Sequence, residues 1–236
     1  AAELLSSATF PVILSGAGVI LADAINDCRA LAEKLDAPVA CGYQHNDSFP
    51  GSHPLAVGPL GYNGSKAGME IISKADVVLA LGTRLNPFST LPGYGIDYWP
   101  KQASIIQVDI NSDRIGLAKK VSVGICGDAK LVAQQILLQL SSDAGDKGRE
   151  DRKAFIHKTK SAWLQTLTSL DHEEDDPGTT WNEDSRKRDP DRMSPRMAWR
   201  AIQAGLPKDV IISSDIGNNC AIGNAYPTFE KGRKYL

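Results

Sequence analysis

The strongest constraint in this chain is a series of short apolar runs that stop at a glycine or beside an acidic residue. They are PVILSG (residues 11–16), APVACG (37–42), DVVLALG (76–82), SIIQVDI (104–110) and VSVGICG (121–127). A run apolar at nearly every position, and too short for a helix, fits a strand buried on both faces. Helical spacings stand between the runs. In ADAINDCRALAEKL (22–35), Ala24, Cys28, Leu31 and Leu35 recur every three or four residues. KAGMEIISKA (66–75) is a second predicted helix. DAKLVAQQILLQL (128–140) is a third, with Asp128 as its N-cap. Strands alternating with helices pair in parallel through right-handed crossovers. The predicted fold is α/β, a doubly wound, mostly parallel, Rossmann-like sheet with helices on both faces. The stretch 43–65, rich in Gly, Pro, Asn and Ser, is predicted to be loop.

The pattern changes after Leu140. Residues 141–193 hold ten Lys or Arg and thirteen Asp or Glu, too many charges for a buried core. Within them, 152–170 is predicted as an exposed helix with Phe155, Trp163, Leu164 and Leu167 along one side. DHEEDDPGTTWNEDSRKRDPD is nearly devoid of apolar residues and is predicted as an irregular linker. Order resumes with Ser194 as a helix cap and Pro195 at the first helical position. PRMAWRAIQAGL sets Met197, Ala201 and Ala204 on one face, and DVIISS (209–214) reads as a strand. Three parts are therefore expected: a central domain over 1–140, a charged helix and linker over 141–193, and the first αβα of a second α/β domain over 194–236.

With 26 basic and 28 acidic residues the net charge is −2, which gives no electrostatic case for nucleic acid or an anionic membrane as partner. No apolar run approaches a membrane span. The N-terminus lacks both an initiator Met and the basic start of a signal peptide, so excision from something longer is expected. Cys28, Cys41, Cys126 and Cys220 form no C-x-x-C pair and no zinc-type spacing. Three lie in apolar contexts and read as small buried residues of a reducing, cytoplasmic compartment.

Several turns carry residues suited to chemistry. SGAGVIL after the first run matches G-x-G at Gly16 and Gly18, but Leu21 occupies the third glycine position and no acid closes the second strand. The glycines serve either a tight turn or a contact with nucleotide phosphate. Gly82 and Arg84 in ALGTRLNPF, Asp109 in VDINSDRIG and Asp128 in GDAK end later strands. With Gly16 and Gly18 they fall along one edge of one sheet, where α/β proteins bind nucleotides. His45, Asp47 and His53 lack a further strong ligand at suitable spacing, so a polar loop is expected and no metal site. Cys220 follows a strand, yet the G-x-S-x-G pattern of a nucleophile elbow is absent and no base is assigned to it. It reads as a structural cysteine, and no catalytic residue is expected within the chain.

Taken in order, FPVILSGAGV, GYNGSKAGMEIISKADVVLALGTRLNPF, IIQVDINSDRIG and GICGDAKLVAQQIL resemble the central domain of thiamine-diphosphate enzymes of the acetolactate synthase and pyruvate oxidase group. MSPRMAWRAIQAGLPKDVIISSDIGNNCAIGNAYPTFEKGRKYL resembles the opening of their third domain. The resemblance implies that Ile216, Gly217, Asn218 and Asn219 touch the thiamine diphosphate. It implies that Gly16, Gly18, Gly82, Arg84, Asp109 and Asp128 form a crevice that in some relatives holds FAD or ADP. LNPF after Arg84 departs from the acidic run of acetolactate synthases. The family's ylide-forming glutamate and its Gly-Asp-Gly and Asn for Mg²⁺ are not found here; the Gly-Asp pair at Gly127 and Asp128 is followed by Ala. The resemblance thus implies a middle fragment, inactive alone, of an acyltransferase that converts sulfoacetaldehyde and phosphate to acetyl phosphate and sulfite. The alternatives are an acetolactate synthase or pyruvate-decarboxylating relative, and a stand-alone ADP- or FAD-binding or structural module. A homo-oligomer acting on a small-molecule substrate is implied with it.

Overall fold

Strand β1 (Pro11–Ser15) is buried at every position and lies at the centre of a six-stranded sheet. Its neighbours are β2 (Val39–Cys41) on one side and β4 (Val77–Leu81) on the other. β3 (Ala56–Pro59) forms one edge, and β5 (Ser104–Asp109) and β6 (Val123–Cys126) extend the other. The order is β3-β2-β1-β4-β5-β6 and every pairing is parallel. The computed structural model describes residues 1–62, 64–169, 195–207, 209–215, 217, 220, 222–223 and 227–235.

The strands are apolar throughout because each face meets helices. Ile13, Leu79 and Leu81 face the side covered by α1 (Ala2–Ser7), α3 (Ile25–Leu35) and α5 (Ala129–Gln139). Val12, Leu14, Val78 and Ala80 face the side covered by α4 (Lys66–Ile72) and α6 (Arg149–Ser169). Side chains alternate across a strand, so two cores need an unbroken apolar run. Asp128 caps α5 as expected, its Oδ1 accepting from Lys130 N at 2.9 Å and Leu131 N at 3.1 Å. Cys28, Cys41 and Cys220 are buried, whereas Cys126, at the end of edge strand β6, is exposed. Among the described residues no helix is long and apolar enough to cross a membrane.

Four expectations need correction. The predicted loop 43–65 contains a buried 3₁₀ turn (Asn46–Ser48) and strand β3. AVGP is short and carries Gly and Pro, both tolerated at a sheet edge but invisible to a search for apolar runs. The helix predicted over 22–35 is α3, but it starts only at Ile25, and a separate short helix, α2 (Ala17–Leu21), precedes it with Asp23 at φ +54° between the two. At 209–214 the described residues show a single parallel bridge, Ile212 with Tyr235, instead of a full strand. One strand alone has too few partners to extend a ladder. The helix before it, α7 (Pro195–Gly205), forms as predicted.

The fourth correction concerns α6, which is not simply exposed. Arg152, Ile156 and Thr159, at spacings of four and three, are buried against the domain. Arg152 is only 1% exposed. Its guanidinium donates from Nε to Asp36 O (3.0 Å), from Nη1 to Thr9 O (2.5 Å) and Lys147 O (2.9 Å), and from Nη2 to Leu35 O (3.0 Å) and Gly145 O (2.6 Å). Five N–H donors thus meet five carbonyls from three segments. Gly145 sits at φ +88°, and a Cβ there would lie 2.6 Å from Leu35 C, so only glycine lets that loop approach. Burial depresses the guanidinium's pKa, with Asp36 opposing the shift.

Arg152→Ala strands several carbonyls in a dry site and is expected to lower unfolding free energy by about 3–5 kcal/mol in urea titration. Lys101→Ala, which removes an exposed pair with Asp97, is expected to leave the midpoint essentially unchanged.

Candidate functional site at the carboxyl edge of the sheet

The strand order reverses between β1 and β4, and a crevice opens beyond their carboxyl ends. Two loops cross there in backbone contact. Gly18 N donates to Gly82 O at 2.8 Å and Gly16 N to Leu81 O at 3.1 Å. A Cβ on Gly16 would stand 2.6 Å from Gly82 O, and one on Gly18 would stand 2.6 Å from Gly82 Cα. Gly82 itself is at φ +62°. The first glycine pair therefore serves a tight crossing. Gly18's amide is already bonded to protein, and Gly16 does not line the cavity above it.

That cavity holds about 460 Å³ and is lined by Gly18, Gly82, Arg84, Asp109 and Asp128. Five of the six residues read from sequence as a crevice are thus brought together. The two acids already have structural duties. Asp109, 6% exposed, accepts from Asn111 N at 2.9 Å through Oδ1, and Asp128 caps α5. Arg84 is exposed and makes no ion pair among the described residues.

Sequence reasoning missed a second cation, Arg114, and two apolar flanks, Leu21 and Ile110, exposed by 75% and 72%. Gln107 orders the loop that carries Arg114. Its Nε2 donates to Thr83 O and Arg114 O, both at 3.2 Å, and its Oε1 accepts from Gly116 N at 2.8 Å. The available signal was a lone glutamine inside the apolar run SIIQVDI, because a buried amide needs partners. Together the walls offer apolar contact at the mouth and two guanidinium groups, a chemistry suited to an anion with an apolar ring system.

His45 also lines the cavity. Burial lowers its pKa below the ordinary 6.5, Arg84 adds to the shift, and Asp47 opposes it. The three residues of the polar loop have separate partners. His53 Nε2 lies 3.3 Å from Glu33 Oε1, and its Nδ1 accepts from Leu55 N. Asp47 Oδ2 accepts from Lys234 N at 2.8 Å and Tyr235 N at 3.3 Å. Among the described residues no three His, Cys, Asp or Glu side chains converge to hold a metal. Cys220 is 5% exposed and receives a hydrogen bond from Gln44 Nε2 at 3.4 Å; an amide is no general base. Of the predicted diphosphate turn, Ile216, Asn218 and Asn219 lie outside the described residues. Gly217 sits at φ +140°, and a Cβ built on it meets nothing within 4 Å.

Residues 1–136 match the family model for the central domain of thiamine pyrophosphate enzymes. Over all 236 residues the chain is 78% identical to a protein of Rhizobium meliloti (strain 1021) named "Probable sulfoacetaldehyde acetyltransferase". It is 77% identical to the sulfoacetaldehyde acetyltransferase of Roseovarius nubinhibens. Over the same length it is 30% identical to the acetolactate synthase large subunit of Buchnera aphidicola subsp. Schlechtendalia chinensis. The chain spans 40%, 39% and 38% of the length of these three relatives.

Gly82→Ala is expected to cost roughly 3 kcal/mol or more in urea unfolding, because φ strain adds to a backbone clash. Gly95→Ala, also at positive φ but with open space around the new methyl, is expected to cost only about 1 kcal/mol. For His45 the unfolded chain binds a proton more readily than the folded one. Stability is therefore expected to fall as pH drops from about 6.5 towards the lowered folded value, then level off. In His45→Gln that part of the pH profile is expected to flatten.

Proposed function

This chain belongs to the thiamine pyrophosphate enzyme family through its central domain, and from that premise we propose that the whole protein is a sulfoacetaldehyde acetyltransferase. It converts sulfoacetaldehyde and phosphate to acetyl phosphate and sulfite. One observation carries the reading: over the 236 residues of this chain, identity is 77–78% to proteins of that name but 30% to an acetolactate synthase large subunit. When bound, thiamine diphosphate supplies the carbon nucleophile and electron sink by which a C–S bond breaks and an acyl group passes to phosphate.

The chain's own part is to hold the diphosphate. Gly217 fits that task. Its φ of +140° excludes side chains, and the space where a Cβ would stand is open, so a phosphate can approach the backbone. Ile216, Asn218 and Asn219 flank it in sequence, and the two Asn amides donate N–H groups to phosphate oxygens in this reading. The sequence has no Gly-Asp-Gly motif, so Mg²⁺ and the proton-moving groups come from other parts of the whole protein. On this reading 141–193 links the central domain to the start of the diphosphate domain, 194–236, and the 236-residue chain alone is inactive. A cytoplasmic homo-oligomer, with neither nucleic acid nor membrane as partner, completes the proposal.

The 460 Å³ crevice favours a second reading, a nucleotide site for ADP or FAD at Gly18, Gly82, Arg84, Asp109 and Asp128. Leu21, Ile110 and the two arginines suit the ring and phosphates of such a ligand.

The intact protein, given thiamine diphosphate, Mg²⁺ and phosphate, is expected to release sulfite from sulfoacetaldehyde and to leave pyruvate unchanged. The 236-residue chain is expected to do neither. Turnover of pyruvate alone by the intact protein, or sulfite release by the isolated chain, overturns the proposal. On the nucleotide reading, isothermal titration calorimetry of the chain with ADP or FAD is expected to show micromolar binding, and no binding overturns it.

A further inference from the structure

The buried carboxylate of Asp47 has no place in the crevice chemistry, yet it is only 1% exposed. Charge this deep is costly unless hydrogen bonds hold it. Its Oδ2 accepts from the backbone N–H groups of Lys234 and Tyr235, and its Oδ1 is buried with no partner among the described residues. The two amides 187 and 188 positions away are thus its hydrogen-bond donors. Two further contacts join the same pair of segments. Gly51 N donates to Phe229 O at 2.8 Å, and Ser52 donates to Glu230 from N (3.0 Å) and Oγ (2.7 Å).

The seat is firmly fixed. Ser15 Oγ donates to Ser48 O at 3.1 Å and Ser48 Oγ to Ser15 O at 3.3 Å, a reciprocal pair that ties the loop to the carboxyl end of β1. The docked stretch is tied in turn to both sides of the Gly217 turn. Before the turn, Ile212 N donates to Lys234 O at 2.7 Å. After it, Tyr235 Oη donates to Cys220 O at 3.3 Å. What holds residues 234 and 235 therefore holds both ends of the turn between Ile212 and Cys220.

We propose that loop 44–52 of the central domain is the docking seat for the segment that carries the diphosphate turn, with Asp47 as its anchor and a positioning residue for cofactor binding. The functional half of this proposal rests on the thiamine diphosphate reading above, while the docking half does not. Gln44 and His45 of the same loop line the crevice, so one loop sets the position of both sites.

Hydrogen–deuterium exchange on the 236-residue chain tests the docking. Asp47→Ala is expected to speed exchange in peptides covering 227–235 by about tenfold or more, with β1 and β4 as protected as before. Asp47→Asn keeps one acceptor and is expected to fall between. Unchanged exchange over 227–235 in Asp47→Ala overturns the anchor. If Asp47→Ala instead exposes β1 and β4, Ser52→Ala at the rim decides: faster exchange confined to 229–230 supports the seat, and none overturns it. In the intact protein, Asp47→Ala is expected to raise the thiamine diphosphate concentration for half-saturation by about tenfold, with Asp47→Asn restoring most of it. Equal half-saturation in all three overturns the positioning role. A wild-type intact protein that binds no thiamine diphosphate instead overturns the functional reading and leaves the exchange result standing.

Discussion

The contact on which the crevice depends is the meeting of two backbones at Gly18 and Gly82. With a hydrogen bond of 2.8 Å between them and no room for a methyl on either, the turn after β1 and the turn after β4 set one another's position. These are the two strands between which the sheet order reverses. Above the crossing lies the cavity walled by Leu21 and Arg84 from these two turns and by Ile110 and Arg114 from the turn after β5. The G-x-G pattern there serves packing first, and any ligand is met by the side chains around it.

A second constraint comes from a charge used as a core residue. Arg152 joins α6 to the end of α3, the start of β1 and the loop at Gly145. A guanidinium supplies five donors in a fixed fork, and here they satisfy carbonyls that would otherwise be buried unpaired. The helix covers one face of the sheet because of a residue type normally assigned to solvent. Ile156 and Thr159 complete its buried stripe.

The Asp47 loop shows how the two candidate sites share a foundation. Ser48 holds the loop to β1, Gln44 and His45 face the crevice, and Asp47 holds the stretch tied to the Gly217 turn. A substitution that moves this loop is expected to be felt at both sites.

Much of the fold was legible in local pattern. Runs such as PVILS and VVLAL need only to be apolar at every position to declare a strand between two layers, and Asp128 needs only its place before a helix to declare a cap. The glycine, arginine and aspartate turns followed, since strand ends in a parallel sheet share an edge. What stayed hidden depends on partners distant in sequence. Nothing near Arg152 announces the carbonyls of Thr9 and Leu35. Nothing near Gln107 announces Gly116 as its hydrogen-bond donor, and nothing near Asp47 announces Lys234 and Tyr235. The sequence by itself determined a parallel α/β sheet and the edge where the candidate crevice opens, because periodicity and turn chemistry act over a few residues. Only the tertiary structure decided that Gly16 and Gly18 serve a crossing, that an arginine belongs to the core, and that the polar loop at Asp47 is a docking seat. Burial and hydrogen-bond satisfaction are properties of residues brought together across the chain, and no local stretch carries them.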